Sequence, residues 1–149
     1  MKKEKLKILN NFVQNNMFMS GETNLKTILQ TLSPILNDGE FVYCTVPDFD
    51  LVPVQQIIFM FRENEEVTIV LRKEDALQLN LTFSYIAAWI TLEVNSSLSA
   101  VGLTAAFSQA LSKEGISCNV VAAFHHDHIF VDVTDREKAM IALQNLHLQ

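Results

Sequence analysis

Apolar positions in the first part of the chain fall at helical spacing and then at strand spacing. From residue 25 to residue 32 they stand at i, i+3, i+4 and i+7, which is the pattern of one helical face. This spacing predicts a short helix with Thr23 as its N-cap and Pro34 as the residue that limits it. Residues 41–46 are rich in β-forming side chains and predict a strand.

Two further apolar runs and a charged segment complete the pattern of the first half. The runs at residues 56–61 and 67–71 flank the polar residues 62–66, and this arrangement predicts a β-hairpin. Residues 73–79 predict a second short helix that starts with charged side chains. The first half therefore reads helix, strand, hairpin and helix.

The segment 84–94 is apolar on both of its alternating faces. A strand of this kind is covered on both sides and belongs in the interior of a sheet. The pattern leaves open whether this strand completes the sheet of the first half or begins the sheet of the second half.

A longer helical stripe follows the polar residues 95–97. Gly115 lies where a left-handed C-terminal cap would end this helix. Strands are predicted at residues 116–123 and 128–133, on either side of a polar corner. The apolar stripe of the helix consists of Ala100, Leu103, Phe107, Ala110 and Leu111.

The second half ends with a helix and repeats the element order of the first. Thr134 and Glu137 have the spacing of a capping box that opens this last helix. Both halves therefore run helix, strand, strand, helix, and the β-α-β-β-α-β pattern of ferredoxin-like domains fits them best. This predicts an α+β fold with antiparallel sheets. Because each half is near the lower size limit for independent stability, we expect the halves to share one sheet or one helical layer.

Composition changes the picture by excluding several classes of protein. The chain has 149 residues, of which 49% are hydrophobic, so it is not intrinsically disordered. Lysine and arginine total 11 against 17 acidic residues, and no basic stripe is present, which excludes a nucleic-acid partner. Only two cysteines, Cys44 and Cys118, are present, which favours a reducing compartment over a disulfide scaffold.

Residues 1–18 differ from the rest of the chain because they are rich in lysine and asparagine. Polar residues interrupt the apolar stretch that a signal peptide requires, and no apolar run approaches the ~20 residues that span a bilayer. We therefore expect an N-terminal extension over residues 1–18, no membrane partner and a cytoplasmic protein.

The densest polar cluster is His125-His126-Asp127-His128, whose residue types are those of a metal site. Zinc needs about four converging ligands, whereas alternate side chains of an extended chain point to opposite faces. We therefore expect a solvated hairpin corner, no metal site and no cofactor. Cys44 and Cys118 fall within predicted strands, where a thiol usually packs, and the nucleophile-elbow and phosphate-loop motifs are missing. The sequence therefore indicates a protein that is not an enzyme.

The junction between the strand at 84–94 and the following helix is the most informative place in the chain. A helix start leaves backbone N–H groups unpaired and partly positive, so a carboxylate binds there without a basic side chain. Ser96 or Ser97 is placed to cap the helix or to donate to such an anion, and Gly102 would allow a close approach. An ordinary N-cap with a packing glycine explains the same residues, so both interpretations stay open.

The second half resembles the second module of tandem ACT-domain proteins along residues 95–131, which read NSSLSAVGLTAAFSQALSKEGISCNVVAAFHHDHIFV. The first half resembles the first module of these proteins through Met19-Ser20-Gly21-Glu22, the helix of residues 25–32, and residues 40–46 and 61–63. The resemblance is closest to a small bacterial group that is related to the ACT modules of the cytosolic arginine sensors of animals.

The resemblance implies two ferredoxin-like ACT modules in tandem, at residues 19–82 and 83–149, that bind an amino acid or a related metabolite. It places the ligand between the loop that opens the helix and the facing strand-turn-strand, where Asp127 would pair with an ammonium or guanidinium group. The arginine sensors have four modules and this chain has two, so an equivalent pocket implies a homodimer. The implied ligand-binding residues are Asn95, Ser96, Ser97, Leu98, Val101, Gly102, Phe124, His126 and Asp127.

Three hypotheses about function follow from these observations. The leading one is a stand-alone regulatory protein that binds an amino acid between ACT modules. The alternative is a non-catalytic association module with a vestigial ligand site, since exposed strand edges in such a sheet pair easily. The third is a small enzyme that uses the histidine corner.

Overall fold

The computed structural model describes residues 21–94 and 96–148. These residues form seven strands and four α-helices; the predicted extension at 1–18 lies outside them. The strands are β1 (Ser33–Leu36), β2 (Phe41–Val46), β3 (Ile57–Arg62), β4 (Val67–Arg72), β5 (Ile86–Glu93), β6 (Asn119–Ala122) and β7 (Asp127–Asp132). The helices are α1 (Leu25–Thr31), α2 (Lys73–Gln78), α3 (Leu103–Lys113) and α4 (Arg136–Gln144).

All seven strands form one antiparallel sheet, so the prediction of a shared sheet is confirmed. Six of them follow in the order β3-β4-β2-β5-β7-β6. Strand β1 pairs with β5 on the edge opposite β7. Strand β2 uses this same edge of β5 through two residue pairs, Phe41 with Ala87 and Val42 with Ile86. The interior position that the two apolar faces of β5 predict is therefore observed.

Two ferredoxin-like modules share this sheet, which confirms the predicted α+β fold. The N-terminal module consists of β2, β3, β4, α2 and β5, and the C-terminal module of β5, α3, β6, β7, α4 and β1. Strand β5 therefore both completes the first sheet and begins the second. Between β2 and β3, where a ferredoxin-like module has its first helix, the chain forms two 3-10 turns, Phe49–Leu51 and Val54–Gln56.

The helices lie on one face of the sheet. Helices α3 and α4 cover the C-terminal module through the buried residues Phe107 and Leu143, and α1 adds Ile28 to the same cluster. The first half thus departs from the predicted repeat, because its first helix packs on the other module. Helix α2 covers the N-terminal module through Ala76. The longest described helix, α3, has 11 residues, and no helix in the described part is long and apolar enough to cross a membrane.

The opposite face of the sheet folds over on itself at the short junction between β2 and β5. Phe59 on β3 and Phe130 on β7 have three strands between them, yet their ring centroids lie 5.8 Å apart. Tyr43 on β2 also meets Phe130, with the ring centroids at 5.8 Å. Because such pairs contribute about 0.5–1.5 kcal/mol each beyond simple burial, this aromatic layer holds the two modules together.

Two helix starts differ from the prediction. Asn24, not Thr23, caps α1, because its side-chain oxygen accepts a hydrogen bond from the Thr27 N–H at 3.2 Å. Thr134 lies in a 3-10 turn before α4 instead of capping that helix. Its N–H and its hydroxyl both donate to the Asp132 carboxylate, at 2.9 Å and 2.7 Å. The Asp132 carboxylate therefore takes the place of Glu137 as the partner of Thr134, and the predicted capping box does not form.

Candidate functional site

A small cavity of about 70 Å³ lies where the β5–α3 loop meets the start of α3 and the β6–β7 hairpin. It brings together four of the residues predicted to bind a ligand, Ser96, Ser97, Leu98 and Asp127. The full lining is Ser96, Ser97, Leu98, Ala100, Leu103, Thr104, Ala122, Ala123 and Asp127. The loop and the hairpin tip therefore converge on one space.

The other described residues of the predicted set do not line this cavity. Val101 and Phe124 point outward, with 84% and 68% of their surface exposed. His126 is half-buried, and its Nδ1 atom is buried without a hydrogen-bond partner. Gly102 faces α1, where an added Cβ would lie 2.8 Å from the Leu25 Cδ2 atom. Asn95 lies outside the described residues.

The loop before α3 is held by a segment that the sequence did not connect with the site. Glu22 forms a parallel β-bridge with Ser96, and its carbonyl oxygen accepts the Ser97 N–H at 2.9 Å. A Cβ on Gly21 would lie 2.4 Å from the carbonyl carbon of Ser96, so only glycine allows this approach. The Ser97 N–H therefore donates to the Glu22 carbonyl and is not available to bind an anion.

Helix α3 begins later than predicted, so neither Ser96 nor Ser97 is its N-cap. Its N-cap is Gly102, which has φ of +99° and no side chain to cap with. The Ser97 hydroxyl instead turns the loop, because it accepts the Ser99 N–H at 3.2 Å and lies 2.8 Å from the Ser99 hydroxyl. The first helical hydrogen bond runs from the Ala106 N–H to the Gly102 carbonyl. The capping prediction is therefore wrong, because a turn closed by the Ala100 N–H and the Ser97 carbonyl, followed by irregular chain, precedes the helix.

Asp127 is the charged residue of the cavity. It is the first residue of β7 and pairs with Ala122, so it stands on the helix side of the sheet. Burial raises the pKa of its carboxyl group above the usual 3.8. Within residues 21–94 and 96–148 no hydrogen-bond or ion-pair partner contacts this carboxylate. The cavity thus contains a partly desolvated negative charge that a cationic group would satisfy.

The histidine corner divides between the two faces of the hairpin. His128 turns away from Asp127 and accepts the Trp89 indole N–H at its Nδ1 atom, at 3.1 Å. Among the described residues, no group of three or more His, Cys, Asp or Glu side chains could hold a metal ion. Burial raises the pKa of the Cys44 thiol and raises that of Cys118 to about 11, so both cysteines are poor nucleophiles.

The sequence matches models of one protein family over most of its length. Residues 20–88 match a model described as the ACT domain, and residues 84–145 match a second model with the same description. The two matches overlap at residues 84–88, where β5 begins. A search of curated protein sequences gives no match.

Solved structures with a similar fold include a close relative and several distant ones. A Vibrio cholerae protein of unknown function, described as a possible transport protein, is 41% identical with a TM-score of 0.73, covering 84% of this chain and 97% of that chain. Clostridium acetobutylicum aspartate kinase is 15% identical (TM-score 0.54; 78% of this chain, 34% of that chain). The ligand-free regulatory subunit of Thermus thermophilus aspartate kinase is 11% identical (TM-score 0.55; 77% and 95%). The last two show the fold alone.

Proposed function

Because this chain belongs to the ACT-domain family, we propose that it is a regulatory protein that binds an amino acid in the cavity at Asp127. ACT domains generally bind small-molecule effectors and are regulatory rather than catalytic. The structural neighbours include an aspartate kinase and the regulatory subunit of another aspartate kinase, and these roles are properties of those proteins. The ligand class and the place of binding in this chain are the proposal.

The observation that carries the proposal is the carboxylate of Asp127, which has no partner among residues 21–94 and 96–148. A charged group in a half-buried position usually has a partner, because desolvation without one is costly. Here burial raises the pKa of Asp127, and no side chain of the described residues neutralises it. The ammonium group that every free amino acid carries supplies the missing charge.

The start of α3 offers the complementary end of the cavity. The N–H groups of Leu103, Thr104 and Ala105 precede the first helical hydrogen bond and have no partner within the helix. Leu103 and Thr104 both line the cavity. Because a helix N-terminus carries a partial positive charge, it favours a carboxylate. The carboxylate and the ammonium group of an α-amino acid are bonded to the same carbon atom, so one ligand can interact with both ends of the cavity.

The size of the cavity limits how much of the ligand it encloses. Typical small-molecule sites occupy ~300–1,000 Å³, whereas this cavity has about 70 Å³. It therefore takes the charged end of an amino acid and leaves the side chain at the mouth. Leu98, Val101 and Phe124, on the segments around the mouth, are 68%, 84% and 68% exposed. These apolar side chains favour coverage by a second copy, so the proposal includes a homodimer.

Thermal unfolding with each of the twenty standard amino acids tests the proposal. At a free concentration of 100 Kd, a ligand stabilises the folded state by about 2.7 kcal/mol. For a chain of this size the Tm then rises by roughly 5–11 °C. Calorimetric titration with the amino acid that raises the Tm most gives its affinity.

The variant Asp127→Asn removes the charge and keeps the shape. We expect its affinity to fall about 10- to 150-fold, the equivalent of losing ~1.5–3 kcal/mol of charge-assisted hydrogen bonding. Asp48→Asn is the matched control, because Asp48 caps a 3-10 turn in the other module and asparagine caps equally well. Unchanged binding in Asp127→Asn, or no Tm response to any amino acid, would contradict the proposal.

The exposed apolar side chains of the β5–α3 loop and of the turn between β6 and β7 also favour a second function, association without a ligand. Leu98, Val101 and Phe124 would form the same contact between two copies if the cavity were vestigial. Sedimentation analysis at several protein concentrations, with and without amino acids, separates the two functions. If the chain dimerises and none of the twenty amino acids changes its dissociation constant or its Tm, the protein is an association module.

A further inference from the structure

We infer that the N-terminal module closes its equivalent of the cavity with its own Arg62 and Phe49 side chains, so that each chain binds one amino acid and not two. The inference rests on the proposed function and adds the number and place of the binding sites. It follows from comparing the two modules position by position.

The strand registers identify the equivalent positions in the two hairpins. In the C-terminal module, Asp127 opens β7 and pairs with Ala122, the last residue of β6. In the N-terminal module, Val67 opens β4 and pairs with Arg62, the last residue of β3. Val67 therefore stands where the other module has Asp127, and Arg62 stands where it has Ala122.

The loops that face the two hairpins correspond as well. Val46, at the end of β2, pairs with Val67, just as Leu92, near the end of β5, pairs with Asp127. The chain after Val46 leads into the 3-10 turn Phe49–Leu51, and the chain after Leu92 leads into the loop of the cavity. Phe49 thus comes from the segment that matches the serine-containing loop.

In the N-terminal module these side chains contact each other. The guanidinium carbon of Arg62 lies 4.7 Å from the centre of the Phe49 ring, which is a cation–π contact. Phe49 packs against the buried cluster that includes Val67, and Val67 itself is only 8% exposed. In the C-terminal module the same strand positions hold alanine and aspartate, and both line the cavity.

The modules therefore differ in the chemistry of the side chains at these positions. An amino acid entering the N-terminal module would have to move Phe49 away from the buried cluster against which it packs. Its ammonium group would then meet Val67 instead of a carboxylate, with the positive Arg62 beside it. Since an unpaired buried charge is costly, binding is confined to the C-terminal module.

Native mass spectrometry of the full chain in an equimolar mixture of the twenty standard amino acids counts the bound molecules. We expect one adduct per chain at saturation. Asp127→Asn is expected to lose this adduct, and Asp48→Asn, the same carboxylate-to-amide change in the loop of the N-terminal module, is expected to keep it. Thermal unfolding of both variants verifies that each is folded.

The possible outcomes separate this inference from the proposed function. Two adducts per chain would overturn the inference and leave amino-acid binding intact. A single adduct that survives in Asp127→Asn, or that is lost in Asp48→Asn, would also overturn it, because the site would then lie elsewhere. The absence of any adduct would overturn both the inference and the function on which it rests.

Discussion

His128 lies next to Asp127 in β7 and points to the other face of the sheet. Its Nδ1 atom accepts the Trp89 indole N–H at 3.1 Å and lies 3.2 Å from the Thr91 hydroxyl. A ring that accepts at Nδ1 has its proton on Nε2, so a second proton at Nδ1 displaces the indole donor. Burial, and to a lesser extent the nearby His126, lowers the pKa of His128 below 6.5.

We expect the free energy of unfolding to decrease as the pH falls below about 6.5. The unfolded chain protonates His128 near that pH, whereas the folded chain takes up the proton only at lower pH, so stability is lost between the two. Urea unfolding at a series of pH values measures this decrease. His128→Asn keeps an acceptor but does not titrate, and it should flatten the profile. The exposed His125→Asn is the control, and equal profiles for wild type and His128→Asn would contradict the assignment.

Residues that meet across one loop and the next hairpin are within reach of sequence reasoning. Ser96, Ser97, Leu98 and Asp127 were predicted together and do line one cavity, although their role as ligand-binding residues stays a prediction. Glu22 was not predicted, because it acts through its carbonyl oxygen from a distant part of the chain. A backbone contact of this kind leaves no side-chain signature in the sequence.

Among the elements, α3 depends on glycine at both of its ends. Gly102 precedes its first residue with φ of +99°, and a Cβ there would lie 2.8 Å from Leu25 Cδ2. Gly115 follows its last turn with φ of +72°, and nothing lies within 4 Å of the Cβ position. A residue other than glycine would therefore have a strained backbone at either end of the helix. Only at Gly102 would its Cβ also clash with a neighbouring side chain.

Gly102→Ala is expected to lower the free energy of unfolding by about 1–3 kcal/mol, because it adds a clash with Leu25 to an unfavourable φ. Gly115→Ala carries only the unfavourable φ and should cost about 1 kcal/mol. Urea unfolding of both variants gives the comparison. An equal loss in the two variants would show that the contact of Gly102 with α1 has no energetic weight.

Local periodicity predicts the elements that have a hydrophobic face of their own. The pattern predicts strand β2 with its observed bounds, and it predicts both strands of the β3–β4 hairpin to within one residue at each end. Strand β1 was missed, because Pro34 suggested only the limit of a helix. Among the described strands β1 has a partner on one side only, which is the position where a strand tolerates proline. This segment forms a strand because it pairs with β5, and a local pattern of residues does not reveal such a distant pairing.

For the whole molecule, we expect that cutting the chain between residues 82 and 83 leaves two fragments that do not fold alone. The first fragment loses β5, the neighbour of β2, and the second loses β1 together with Ile28 of α1. Circular dichroism during urea unfolding should show no cooperative transition for either fragment. Mixing the two is the control and should restore a transition, since all strands are then present.

A cooperative transition in the fragment 83–149 alone would contradict this expectation. It would show that the C-terminal module is complete without β1 and that the proposed boundary separates independent units. The small size of each half predicts either one shared sheet or one shared helical layer, and the shared sheet is observed. The sequence pattern did not predict that each module is completed by a strand from the other half. The order of helices and strands is the same whether a module is completed by its own strand or by one from the other half.

The shared position of β5 has a consequence during translation. Strands β1 and β2 leave the ribosome first, and the edges that β5 will cover stay unpaired until it has been synthesised. At a synthesis rate of ~5–20 residues per second, the interval from the end of β1 to the end of β5 lasts roughly 3–11 s. Open strand edges are sites of aggregation during such a delay. Nascent chains of this protein should therefore benefit from chaperone protection until the middle of the sheet emerges.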